Sequence, residues 1–153
     1  MRTSSAGRTS PPGFTLIEMI VVLVMLAGAV ALVSGVNLRQ RDSLVLRDFG
    51  TSLTAFLQLA RSTALADGRK SVCLLDVAGR RVYSPGVGRS VTVPAGVDVA
   101  RRPPFPGTDE GNVRLMEFSM DGSSSGGAIA MAFGEHTGLI EVDPLLGGVR
   151  VRW

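Results

Sequence analysis

The hydrophobic pattern divides the chain into three regimes. From Phe14 to Val33 apolar residues follow one another almost without a break, and Glu18 is the only charge in that run. A helix over residues 14–34 would be roughly 30 Å long, the thickness of a bilayer core. The spacing then changes. Leu38, Val45, Phe49, Leu53, Phe56, Ala60 and Ala64 recur at steps of seven, four, four, three, four and four, and Leu46, Leu57 and Leu65 widen the stripe. That period predicts an amphipathic helix with one core-facing side. No proline interrupts residues 14–67, so the two stretches read as one long helix of about 50 residues. Asp67-Gly68 is the expected stop, because glycine tolerates the left-handed turn that ends a helix.

From Ser71 the period falls to two. Strands are expected at Ser71–Asp76, Arg80–Tyr83, Ser90–Val93, Val97–Arg101, Val113–Phe118, Ala128–Phe133, Gly138–Val142 and Gly148–Arg152. The last three read as a meander, with turns at Glu135-His136-Thr137 and Pro144–Gly147. Pro103 to Asn112 reads as a loop by composition. The fold class is therefore α+β: a long N-terminal helix, half membrane-type and half amphipathic, packed on an antiparallel β-sheet. The amphipathic half is the only element able to cover the apolar face of that sheet. The expected organisation is a polar leader at 1–13, an apolar helical half at 14–34, an amphipathic half at 35–68 and a sheet domain at 69–153.

Charge and composition then narrow the chemistry. The 153 residues carry a formal charge of +3, but Arg2 and Arg8 precede Gly13, and a chain starting at Phe14 has 14 basic and 13 acidic side chains. That near-neutral balance is no polybasic footprint. Cys73 is the sole cysteine, so no intrachain disulfide forms, and its apolar flanks suit a buried small hydrophobe. His136 is the sole histidine and has no second ligand at metal spacing. No metal and no cofactor are expected.

Pro11, Pro12 and Gly13 block an earlier helix start. Ala27-Gly28-Ala29 could serve as an ordinary signal cleavage site. The more distinctive junction is Gly13–Phe14, before the apolar run. Arg2 and Arg8 favour a cytoplasmic N-terminus, although Arg39 and Arg41 after the helix weaken that asymmetry.

Gly13-Phe14-Thr15-Leu16-Ile17-Glu18 before an apolar helix resembles the class III signal of type IV pilins and type II secretion pseudopilins. Ala60–Ala64, Phe118–Gly127 and Ile140–Val151 are similar to the minor pseudopilin H group. The resemblance implies cleavage between Gly13 and Phe14 by a prepilin peptidase and methylation of the new Phe14 amine. It implies a single-pass inner-membrane subunit with its sheet domain in the periplasm. It further implies assembly with other major and minor pseudopilins into a filament that serves protein export across the outer membrane. Glu18 would meet the Phe14 amine of a neighbouring subunit, offsetting the cost of a charge in an apolar setting. No catalysis is implied.

Two other patterns compete. Gly122-Ser123-Ser124-Ser125-Gly126 matches G-x-S-x-G, yet a strand follows it and His136 precedes Asp143, so a flexible Ser/Gly-rich loop is expected. Arg150 and Arg152 alternate on the final strand and share a face. With Arg114, or Arg101 and Arg102, they would form a phosphate-binding patch, which supports the alternative of a minor type IV pilin of pilus biogenesis or DNA uptake that binds nucleic acid. The same two arginines also suit an edge strand, where charge discourages unwanted pairing.

Overall fold

The computed structural model describes residues 14–105 and 111–153, and for residues 32–40 the backbone alone. Gly13 and residues 106–110 of the expected loop lie outside the described residues. The chain forms two compact units, Met1–Leu38 and Arg39–Trp153.

Helix α1 runs Leu16–Asp67. Thr15 caps its start, accepting the Glu18 N–H on Oγ1 at 3.3 Å. Gly68 takes φ +60°, and the Arg69 N–H donates to Ala64 O at 3.3 Å. That bond is the six-to-one contact of a left-handed helix stop. In the first unit Phe14, Leu16, Ile17 and the apolar residues through Val30 are exposed. Among the described residues no helix is long and apolar enough to cross a membrane. Side chains of the apolar run are described over 14–31, short of the expected 14–34.

In the second unit eight strands follow: β1 Ser71–Asp76, β2 Arg81–Ser84, β3 Val87–Thr92, β4 Asp98–Arg102, β5 Asn112–Phe118, β6 Gly127–Phe133, β7 His136–Val142 and β8 Val149–Arg152. They make two four-stranded antiparallel sheets instead of the single sheet expected. The first has order β3-β2-β1-β5 and the second β4-β6-β7-β8. The division falls between β3 and β4. Pro94 lacks an N–H to continue pairing, and Gly96 turns the chain at φ +83° beneath Phe133, where a Cβ would meet the ring. β4 thereby pairs with β6, and β5 returns to β1.

One core joins the helix to both sheets. Leu46, Phe49, Leu53, Leu57, Ala60 and Ala64 face Cys73, Leu115 and Phe118 of the first sheet and Ile129, Met131 and Ile140 of the second. Over Val45–Leu65 the expected stripe of α1 is buried except at two positions. Leu46 and Leu57 lie inside, while Val45 and Leu65 are exposed. Gly50 permits close approach on this seam, because a Cβ there would meet Trp153 Cη2 at 2.5 Å and Met131 Cε at 3.1 Å. The β6–β7 turn is also tighter than expected. Phe133 pairs with His136, so the turn is the two residues Gly134-Glu135, with Gly134 at φ +58°.

Candidate functional site

Two places concentrate the residues singled out by sequence. The first is the start of α1. Phe14 is exposed and precedes the helix, and Glu18 lies in its first turn, four residues on. A carboxylate in the first turn faces the positive end of the helix dipole. Thr15-Leu16-Ile17-Glu18 is also a Ser/Thr-x-x-Glu capping pattern, a signal legible in the sequence beside the cleavage motif. The Glu18 N–H that bonds Thr15 Oγ1 also donates to Thr15 O at 3.1 Å. Gly13 lies outside the described residues.

The second place is a clasp at the C-terminal end of α1. It unites the three stretches on which the closer resemblance rests: Ala60–Ala64, Phe118–Gly127 and Ile140–Val151. The Arg61 Nε–H donates to Gly122 O at 3.0 Å. Gly147 packs under both, so that a Cβ there would run into Gly122 O and meet Arg61 Nε at 2.7 Å. Both glycines have positive φ, +82° and +60°. Conformation favours glycine at both positions, and at Gly147 space requires it as well.

Hydrogen bonds tie the two loops together. Ser124 Oγ donates to Asp143 O at 2.8 Å, and the Ser124 N–H donates to Pro144 O at 2.9 Å. Ser125 N–H donates to Glu117 O at 2.8 Å, and Ser119 N–H to Ser123 O at 2.9 Å. The Ser/Gly stretch is therefore a bonded loop, contrary to the flexible one expected, because its small residues let backbone approach backbone. The Ser124 hydroxyl of the G-x-S-x-G pattern serves the Asp143 carbonyl and accepts the Gly126 N–H at 3.0 Å.

Two aspartates fix these loops and are held below the ordinary carboxylate range. The Leu146 and Leu145 N–H groups lower Asp143, with Arg150 adding a smaller attraction. The Ser123 hydroxyl and N–H lower Asp121. Each carboxylate bonds in its charged form, which favours ionisation.

The expected arginine patch forms only in part: Arg102 and Arg152 line one cleft on the second sheet, whereas Arg101 and Arg114 do not join them there. Arg150 and Arg152 are exposed on one face of β8, as expected. Arg152 Nε, however, pairs with Glu141 Oε2 at 3.1 Å, and Arg150 stands opposite Glu141 in register. Arg101 is 8% exposed and points into the protein. It donates to Pro103 O and, at 2.7 Å, to Gly126 O, and it stacks 3.6 Å from the centre of the Phe105 ring. Its Nε has no hydrogen-bond partner, and burial lowers its pKa. Arg114 lies on β5 of the other sheet, near Glu117. Cys73 is buried, and desolvation pushes its thiol up to about 12. Among the described residues no group of three metal-ligating side chains converges.

No family model and no solved structure matches the chain. A curated relative does: the type II secretion system protein H of Xanthomonas campestris pv. campestris, 29% identical over 153 residues. The match covers 97% of this chain and 88% of the relative, so it takes in both the Phe14–Glu18 region and the clasp. The chain is thus similar along nearly its whole length to a type II secretion H protein, and the resemblance to the minor pseudopilin H group read from its sequence is borne out.

Proposed function

We propose that the chain is a minor pseudopilin subunit of a type II secretion pseudopilus, acting in protein export across the outer membrane. The observation that carries this is the near full-length likeness to a type II secretion protein H. The motif at Gly13–Glu18 and the α+β fold accord with it.

On this reading residues 1–13 are a leader that prepilin peptidase removes between Gly13 and Phe14. Glycine at the cut leaves the backbone open to the enzyme. Phe14 then carries the N-methylated amine. Residues 14–34 anchor the subunit in the inner membrane by a single pass, residues 35–68 form the amphipathic half of a pilin-like helix, and residues 69–153 stand in the periplasm. On entry into the filament the apolar half exchanges lipid for the helices of other major and minor pseudopilins. Glu18 pairs with the Phe14 amine of a neighbour and sets the axial register, since a charge in that setting needs a partner. The clasp at Arg61 locks the loops that face outward from the helix end. The chain serves as a structural subunit, with no catalytic step assigned to it.

The alternative, nucleic-acid binding through Arg150 and Arg152 in a minor type IV pilin, has less support. Glu141 and Asp143 stand beside those arginines, and phosphate affinity needs uncompensated cations. Isolation of the pseudopilus from producing cells tests the proposal. The chain should co-purify with the other pseudopilins. Its absence from them, together with retention of DNA lost on Arg150→Ala and Arg152→Ala, would favour the alternative.

A further inference from the structure

The edge strands of the two sheets are not equally guarded. Charged side chains on an edge discourage pairing with a foreign strand. Edge β4 carries Asp98, Arg101 and Arg102, β8 carries Arg150 and Arg152, and β5 carries Arg114 and Glu117. Edge β3, six residues long, carries Arg89 alone, and Gly88, Arg89, Ser90 and Thr92 are all exposed. The ladder fixes which backbone groups are free. The Val93 N–H donates to Arg80 O at 2.7 Å, directly across the β2–β3 pair. Bonded and unbonded pairs alternate along an antiparallel ladder, so Val82–Val91 bonds, whereas Arg81–Thr92 and Tyr83–Ser90 do not. The N–H and C=O of Ser90 and Thr92 therefore point away from β2, on the side where β3 has no neighbour.

A groove runs beside that edge, between β3 and α1. Two hollows of about 290 and 380 Å³ share Ser52, Ser90 and Val91 and form its two halves. Phe49 and Phe56, both buried, make its floor. Asp48, Ser52, Ala55 and Leu59 form the α1 wall, at steps of four, three and four that keep them on one flank of the helix. Small Ser52 and Ala55 lower that wall at its middle, and Leu59 stands 36% exposed at one end. The two halves carry opposite charges. Asp48 lies in the half with Thr92 and Pro94, and Arg89 in the half with Leu59. Neither makes an ion pair among the described residues.

We propose that the β3 edge accepts an extended strand from another pseudopilin, which pairs with the Ser90 and Thr92 backbone and lays apolar side chains over Phe49 and Phe56. A strand added to a free edge takes affinity from main-chain bonds and selectivity from its alternate side chains. The charges of the groove ask for a basic side chain near Asp48 and an acidic one near Arg89. That requirement separates the guest from a second copy of this chain. Two copies joined antiparallel through β3 would bring Arg89, near the middle of the strand, close to its own counterpart, and like charges so placed oppose pairing. The contact thus suits a subunit set among different neighbours. A single six-residue strand buries less than the roughly 1,200 Å² of a stable interface. The docking therefore rests on the filament reading, in which helix packing brings the subunits together.

Photo-crosslinking of the full-length chain, in cells that produce the whole secretion system, tests this. A photoreactive phenylalanine analogue replaces Thr92, exposed beside the outward backbone groups, or in a separate strain Leu23 in the apolar half of α1. Light should join the Thr92 probe to one other pseudopilin, at an extended segment with alternating apolar residues. Ser90→Pro removes an outward N–H and spares the bonds to β2, a change that an edge strand tolerates. It should lower the yield several-fold, and so should Arg89→Glu at an exposed position. Should Ser90→Pro unfold, Arg89→Glu alone decides, and a yield equal to the parent's overturns the docking. An adduct between two copies would also overturn it. No adduct at Thr92, where the Leu23 probe still joins other pseudopilins, sinks the docking alone. No adduct from either probe, with secretion indifferent to the chain, sinks the filament reading as well.

Discussion

Arg61 and Gly122, 61 positions apart, are joined by a 3.0 Å hydrogen bond from the arginine Nε to the glycine carbonyl. This bond ties the last turns of α1 to the loop before β6, and Gly147 of the β7–β8 loop closes over it. Arg61→Ala should leave the carbonyl short of a partner and cost about 1–2 kcal/mol. Thermal unfolding of the full chain in detergent should show a drop in Tm of several degrees. An unchanged Tm would mean that the clasp contributes nothing to stability.

Gly147→Ala is expected to be worse than Arg61→Ala. The substitution places a Cβ against Gly122 O in a backbone conformation that side chains rarely adopt. The expected cost is about 2–3 kcal/mol. Gly148→Ala, one position on and with open space around it, is the control and should unfold like the parent.

Acid should loosen the leucine turn. Asp143 titrates below its ordinary 3.8 because its charged form accepts the Leu146 and Leu145 N–H bonds. Its contribution is therefore present above the unfolded value and is lost as pH falls through the lower folded value. Protection of the Leu145 and Leu146 amides, relative to their intrinsic exchange at each pH, should fall below about pH 4. Asp143→Asn keeps an accepting oxygen and should remove that pH dependence, whereas Asp143→Ala should speed exchange at neutral pH.

Cys73 should resist modification. Its thiol is desolvated and pushed up to about 12, so little thiolate exists at pH 8. A maleimide should leave the native chain unlabelled and label it after denaturation. Labelling of the native chain within minutes would show that the core between β1 and α1 opens.

Much of this architecture was legible in the residues, and the exceptions have physical causes. The eight strands announced themselves by alternation, and Ser71–Asp76 runs as expected because both ends are polar breaks. The division into two sheets was not legible. It depends on β1 choosing β5 and β4 choosing β6, pairings across long separations that no local period encodes. The helix stripe is buried as expected from Leu46 through Ala64, whereas Val45 and Leu65 are exposed, because only the opposing sheets decide how wide the covered face is. His136 was expected in a turn, yet Gly134 and Glu135 suffice for the reversal. The clasp residues could be marked by resemblance, but their meeting around Arg61 required the fold. Thr15 as a helix cap is readable from its spacing to Glu18, inside the same six residues that carry the cleavage motif.

Processing at the N-terminus has a direct check. Gly13 replaced by leucine should leave the uncut precursor in the membrane, and Glu18→Val should be cleaved but fail to enter the filament. Mass spectrometry that finds Phe14 at the N-terminus of the Gly13→Leu variant would contradict the cleavage assignment.

The role in export is tested most directly by secretion in a strain lacking this chain. Proteins bound for the medium should accumulate in the periplasm, and the wild-type chain, but not Glu18→Val, should restore their release. Undiminished release without the chain would contradict the account.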